Sequence, residues 1–317
     1  MRAFIFPGQG SQAVGMGKAL AEAFLSAREV FDEVDEALSQ KLSRTMWEGP
    51  DADLVLTENA QPAIMAASLA VIRVLQREGG LDLAKQARLV AGHSLGEYSA
   101  LCAAGAFTLS DAARLLKTRG HAMQDAVPVG EGAMFALIGA DVALAEEVSQ
   151  EAVEKAVESN PVCVVANDNA PGQVVISGLK ATVERAGAIA KAKGVKRAIA
   201  LAVSAPFHCS LMKPAALKMA EALAGVTIRP PAVPVVANVT AAETNEPETI
   251  RRLLVEQVTS RVRWRESVLA FKAAGATTTV EAGGNKVLTG MVKRIDKDFV
   301  TVSLDTAADI EAFARTL

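Results

Sequence analysis

The stretch RLVAGHSLGEYSALCAAG places a serine at the centre of G-x-S-x-G, as Gly92, His93, Ser94, Leu95 and Gly96, between a short apolar run and a helical stretch that can stop at Gly105. Strand, tight turn and helix are what a nucleophile elbow requires. The serine occupies a strained turn, and the residues two before and two after it must be small because the strand and helix backbones nearly touch there. Gly92 and Gly96 meet that demand. Ser94 would then present its hydroxyl at a helix N-terminus, where the N–H of Leu95 and the helix dipole favour an oxyanion. The chemistry so encoded is acyl transfer through a serine ester.

A serine needs a base, and histidine is the usual one. Three histidines are present. His93 adjoins Ser94, where neighbouring side chains diverge, and reads as a packing or hydrogen-bonding residue. His121 lies in SDAARLLKTRGHAMQ, a helix that Ser110 would cap, on a polar face with Arg114, Lys117 and Gln124. His208, in ALAVSAPFHCSLM, follows a strand and a loop and precedes a helix that Ser210 would cap. Loops after strand ends carry chemistry in α/β enzymes, so His208 is the candidate base. In the His121 helix, Arg119 falls inside the apolar stripe of Ala112, Leu115, Leu116 and Met123. A guanidinium there is costly unless paired. Spacing alone favours a snorkelling side chain or a structural carboxylate partner, the alternative being a bidentate grip on a substrate carboxylate.

The first residues raise a third question. Gly8, Gly10 and Ala13 in GQGSQA satisfy the dinucleotide pattern G-x-G-x-x-G/A. Pro7 intrudes before the first glycine, and the acidic residue expected about 20 positions on falls in the amphipathic stretch REVFDEVDEALSQ. The turn either binds a phosphate or lends a backbone N–H to an anion elsewhere.

The elements that must position these groups alternate short β-like runs (AFIF, RLVAG, AMFALIG, VCVVAN, QVVISG, RAIALAV, VPVVANV, TTTVEAG) with Ala/Leu-rich helical stretches, an α/β pattern. From about Gly132 to Val203 the order is βαββαβ, that of a ferredoxin-like unit, with NDNAPG as the turn between its middle strands. A small inserted subdomain, residues 129–203, is therefore expected within a larger α/β subdomain of residues 1–128 and 204–317. The 317 residues carry a net charge of -3 and are 50% apolar, which argues against nucleic-acid binding through overall charge. No apolar stretch reaches the roughly 18 residues of a membrane span, and the N-terminus lacks signal-peptide order, so the cytoplasm is the expected compartment. Cys102, Cys163 and Cys209, without C-x-x-C spacing, suggest neither disulfide framework nor zinc site and read as small apolar residues.

With FPGQGSQ, AGHSLGEYSAL, RG-x-x-MQ-x-A from Arg119, SAPFHC, LMKPAA, LVEQ and KVLTG in order, the chain resembles the bacterial malonyl-CoA:acyl carrier protein transacylases from about Phe4 to Arg294. The resemblance implies an α/β-hydrolase-like large subdomain with a parallel sheet and a ferredoxin-like small one. It implies Ser94 as nucleophile, His208 as base oriented by the main-chain carbonyl of Gln257, and the N–H groups of Gln9 and Leu95 as the oxyanion hole. It makes Arg119 the partner of the malonyl carboxylate and places Asn167 and Asn169 along the cleft. The implied reaction is ping-pong transfer of malonyl from malonyl-CoA to the phosphopantetheine thiol of acyl carrier protein, supplying fatty acid synthesis, by a monomer without cofactor or metal. Bulky Phe207, before the base, implies malonyl over methylmalonyl. The carrier protein is typically acidic, and Lys191, Lys193, Lys196 and Arg197 are expected to help dock it. Where the family usually has G-x-G before KVLTG, this chain has Gly283, Gly284 and Asn285, a residue that tolerates left-handed backbone. The alternative is a serine thioesterase acting on a carboxylated acyl thioester, with water discharging the enzyme.

Overall fold

A computed structural model describes residues 1–317. Its ten strands are β1 (Arg2–Phe6), β2 (Ala87–Gly92), β3 (Gly132–Ile138), β4 (Cys163–Ala170), β5 (Gln173–Leu179), β6 (Arg197–Ala200), β7 (Val235–Val236), β8 (Glu243–Thr244), β9 (Thr278–Ala282) and β10 (Val300–Leu304). Six form a sheet in the order β10-β9-β1-β2-β7-β8, parallel except for the β7–β8 pair at one edge. Its central strand β1 is apolar throughout after Arg2 because helices cover both faces, as parallel sheets require. The period of two in AFIF divides the strand: Phe4 and Phe6 enter the main core with the helix Thr57–Arg77, and Ala3 and Ile5 enter a second core with Trp264 and Phe271.

The other four strands form an antiparallel sheet, β4-β5-β3-β6, whose chain order with the helices Val142–Glu154 and Lys180–Ala192 is βαββαβ. Leu137, Val165, Val174 and Ile176 pack there against Ala145, Val148, Val183 and Ala186. The antiparallel sheet is tied beside the site to the loop and helix around residues 262–265: Asp168 N–H donates to the Val262 carbonyl at 3.0 Å, Val262 N–H donates to that of Ala166 at 2.8 Å, and Arg265 pairs with Asp168 at 2.9 Å. No helix is long and apolar enough to cross a membrane.

Several local expectations need correction. Asn167–Ala170 remain in β4, and only Pro171 and Gly172 turn, because the pairing with β5 continues to Ala170 opposite Gln173. β6 stops at Ala200, although Leu201 N–H still donates to the Met134 carbonyl of β3 at 2.9 Å. Thr108, not Ser110, caps the Leu109–Asp125 helix, its hydroxyl accepting from Asp111 N–H at 3.0 Å. Ser210 caps nothing: it opens a 3-10 turn ahead of the helix Lys213–Ala224. β10 lies outside the expected runs. Cys163 and Cys209 are buried, Cys102 is half-buried, and all three are free thiols.

Candidate active site

The elbow joins β2 to the helix Gly96–Ala103. A Cβ on Gly92 would lie 1.9 Å from the Gly96 carbonyl, and one on Gly96 2.2 Å from the Phe6 carbonyl, so neither position has room for a side chain. Ser94 has φ 54°, a left-handed conformation that costs a non-glycine residue energy and lifts its side chain out of the turn. Asn238 holds it there, accepting from Ser94 N–H at 2.7 Å while its amide donates to the Gly92 carbonyl at 2.7 Å.

His208, itself at φ 59°, places Nε2 2.8 Å from Ser94 Oγ. Its Nδ1 lies 2.9 Å from the Gln257 carbonyl and 3.1 Å from that of Ser260. Both carbonyls can only accept, so Nδ1 carries the hydrogen and Nε2 meets the serine with its lone pair. Burial, and then the nearby Arg119 cation, push the His208 pKa down to about 3, so the ring is neutral at neutral pH.

Arg119 is 1% exposed, against the snorkelling expected from spacing. It donates to Gln61 Oε1 at 2.8 Å, Gln257 Oε1 at 3.0 Å and Ser94 Oγ at 3.1 Å. Its guanidinium lies 5.8 Å from the centre of the Tyr98 ring, and its Nε has no partner. No carboxylate touches it. A cavity of about 430 Å³ opens on these groups, and Gln9, Ser94, Leu95, Arg119, Asn167, Phe207 and His208 all line it. The turn after β1 reaches the elbow because Gly8 packs on His93, where a Cβ would sit 2.7 Å from the His93 carbonyl, and Gly10 takes φ 101°. The main-chain N–H groups of Gln9 and Leu95 make no hydrogen bond within the chain. Gly284 (φ 90°) abuts Pro7 behind that turn, and Asn285 (φ 55°) donates to the Ser11 carbonyl at 3.3 Å.

Among the other expected residues, Asn169 does not line the cavity. It is buried 2.8 Å from His93 Nε2 and holds that ring, whose role is hydrogen bonding as its position suggests. His121 stands 2.5 Å from Glu58 on the far side of its helix. Lys191, Lys193, Lys196 and Arg197 are exposed, but Lys193 is already paired with Glu147 and Glu151 at 2.5 and 2.6 Å. Gln61, Glu97, Asn238 and Ser260 escape sequence reasoning. Of these only Glu97 carries a local signal, a charge one residue past the elbow in an otherwise apolar helix.

Comparison with known proteins agrees with this geometry. The model of the acyl transferase domain family matches residues 3–308. The malonyl CoA-acyl carrier protein transacylase of Bacillus subtilis is 45% identical over 315 residues, 99% of this chain and 96% of that protein. An acyl-carrier-protein-S-malonyltransferase from Bartonella henselae has a TM-score of 0.96 at 54% identity, covering 99% of this chain and 98% of that one. A malonyl-transacylase solved in complex with its type II polyketide acyl carrier protein has a TM-score of 0.94 at 42% identity, covering 100% and 99%. The chain belongs to the acyl transferase domain family, among the malonyl CoA-acyl carrier protein transacylases.

Proposed function

We propose that this protein transfers malonyl from malonyl-CoA to the phosphopantetheine thiol of acyl carrier protein through a malonyl ester of Ser94, supplying fatty acid synthesis. The observation that carries the reading is one hydroxyl 2.8 Å from a neutral buried histidine and 3.1 Å from a buried guanidinium that touches no carboxylate. The first arrangement makes a nucleophile, and the second selects an acyl group with a free carboxylate.

In the first half-reaction His208 Nε2 takes the Ser94 proton as Oγ attacks the thioester carbonyl. The N–H groups of Gln9 and Leu95 receive the developing oxyanion, each donor supplying about 2.7 to 4 kcal/mol of barrier lowering. CoA leaves as the thiol with the proton held by His208, and the carrier-protein thiol retraces these steps. After burial, Arg119 is the largest cause that depresses His208, so a malonyl carboxylate neutralising it lets the imidazolium form more readily. The substrate thus helps to switch on the base. No cofactor or metal is needed, because the thioester carries its own activation.

Phe207 and Asn167 complete the lining, and the bulk of Phe207 beside the base is what would exclude a branch methyl in this reading. Replacing Phe207 with Ala should raise the methylmalonyl-to-malonyl ratio of kcat/KM several-fold, and an unchanged ratio would remove that role. Residues 129–203 form the small subdomain in this reading, and 1–128 with 204–317 the catalytic one. The protein acts as a cytoplasmic monomer, its carrier-docking cations being Lys191, Lys196 and Arg197, with Lys193 weakened by its ion pairs. The transacylase names of the relatives disfavour the hydrolase alternative.

Intact-protein mass spectrometry after brief exposure to malonyl-CoA tests the proposal. Wild type should gain one malonyl group that acyl carrier protein discharges, and Ser94→Ala should gain none. An adduct that only water removes would establish the hydrolase instead.

A further inference from the structure

A buried guanidinium that must stay open to a substrate carboxylate cannot be neutralised by a carboxylate in direct contact, since that group would compete for the same donors. It still needs a nearby anion and a fixed orientation, because an uncompensated buried charge is expensive. Glu97 meets both needs at one residue's remove. Its side chain is buried, and Oε2 accepts from Asn238 N–H at 2.9 Å and from Gln257 Nε2 at 2.8 Å. The Asn238 donor is main chain and cannot reorient. A carboxylate can only accept, so the Gln257 amide must turn its NH2 toward Glu97, where it also reaches the Ser94 carbonyl at 3.1 Å. That leaves Gln257 Oε1 facing Arg119 Nη2 at 3.0 Å. The reversed amide would put NH2 against the guanidinium and a carbonyl against the carboxylate, both repulsive.

We propose that Glu97 is a positioning residue for substrate selection, fixing the Gln257 amide so that it orients Arg119 and acting through it as the buried counter-charge. Gln257 then serves twice: its main-chain carbonyl orients His208, and its side chain relays Glu97 to Arg119. Glu97 touches neither substrate nor nucleophile side chain, so its effect falls on which acyl group is chosen. Burial raises the Glu97 pKa to about 7 against the pull of Asn238, Gln257 and Arg119, so the charged, acceptor-only form that the relay uses is the one that prevails above that pH.

This inference rests on the reading of Arg119 as the carboxylate-binding group. The test is the malonyl-to-acetyl ratio of kcat/KM for wild type, Glu97→Leu, Glu97→Gln, Gln257→Met, the Glu97→Leu/Gln257→Met double variant and Arg119→Ala, with thermal melting as a check on folding. Glu97→Leu and Gln257→Met should each lower the ratio about tenfold, mostly through KM for malonyl-CoA. The double variant should lose no more than either single one, since both cut one relay. Glu97→Gln should recover most of the ratio, because its amide oxygen can accept both hydrogen bonds. It also keeps the shape of the side chain, so it remains informative if Glu97→Leu fails to fold. A ratio that stays at the wild-type value in folded Glu97→Leu, additive losses in the double variant, or a Glu97→Gln ratio no better than that of Glu97→Leu would overturn the relay. Should Arg119→Ala itself keep the wild-type ratio, the fault lies in the reading of Arg119 instead.

Discussion

Two groups of cations in this chain differ in what surrounds them. At the surface, the run Lys191–Arg197 is solvated, and its Lys193 is held by two glutamates of the neighbouring helix. At the centre, Arg119 is buried among the neutral acceptors of Gln61, Gln257 and Ser94, with its nearest carboxylate, Glu97, reached through an amide. An exposed lysine finds its partner in water or in a glutamate at little gain, typically under about 1 kcal/mol. A guanidinium taken out of water and left without a contacting anion is a strong sign that the anion arrives with the substrate. Charge density along the sequence points to the first group, and burial points to the second.

Changes that separate the two groups should differ greatly in size. Arg119→Ala should reduce the preference for malonyl over acetyl by roughly 10³-fold or more, since a site with unpaired polar groups rejects analogues by about 10⁴ to 10⁵. Ratios of kcat/KM with the two CoA esters measure it, and a tenfold change or less would put Arg119 on the same footing as the surface cations.

Acid stability gives a second, intermediate contrast, between the two titrating groups beside Arg119. His208 falls from 6.5 to about 3 in the fold, so between those values the unfolded chain binds more protons and stability is lost as pH falls. Glu97 rises from 4.5 to about 7, so across that window the native state binds more protons and stability is lost as pH rises. Between about pH 6.5 and 4.5 the two oppose each other. Melting temperatures over that range should fall less steeply for His208→Gln than for wild type and more steeply for Glu97→Gln. The reverse order, or parallel slopes, would contradict the burial of both groups. The smallest effect belongs to the surface run. Charge reversal at Lys191, Lys196 and Arg197 should raise KM for carrier protein several-fold at low salt and hardly at all at high salt, leaving malonyl-CoA hydrolysis and acylation of Ser94 alone. Salt-independent transfer would dismiss this surface as the dock.

What was legible in the sequence follows from how local each requirement is. The elbow could be read because its constraint is carried by five consecutive residues, with Gly92 and Gly96 where an added Cβ would fall 1.9 and 2.2 Å from another backbone atom. The βαββαβ order was legible for the same reason: each strand and helix announces itself by its own period. Arg119 was not placed by spacing, since a residue inside an apolar stripe can snorkel or pair, and only the motif resemblance pointed inward. Gln61, Asn238 and Ser260 reach the site from distant segments and are ordinary polar residues in their own neighbourhoods. Asn169 is instead turned to His93, in the loop after β2, whose half-buried ring it meets at 2.8 Å. β10 was missed because an edge strand with four of its five residues at least partly exposed, VTVSL, lacks the apolar continuity of β1. Thr108 displaced Ser110 as the cap because the helix starts two residues earlier, at Leu109, where the Thr108 hydroxyl reaches the Asp111 N–H.

The central claim is that the Arg119 guanidinium, which touches no carboxylate, chooses the acyl group delivered to Ser94. Its most direct test is a competition, with wild type and Arg119→Ala each exposed briefly to an equimolar mixture of malonyl-CoA and acetyl-CoA and the acyl-enzyme read by intact mass. Wild type should carry malonyl almost exclusively, and Arg119→Ala should carry acetyl at least as often as malonyl while remaining folded. Malonyl still dominating on Arg119→Ala would contradict the claim and move the source of selectivity to another group lining the cavity.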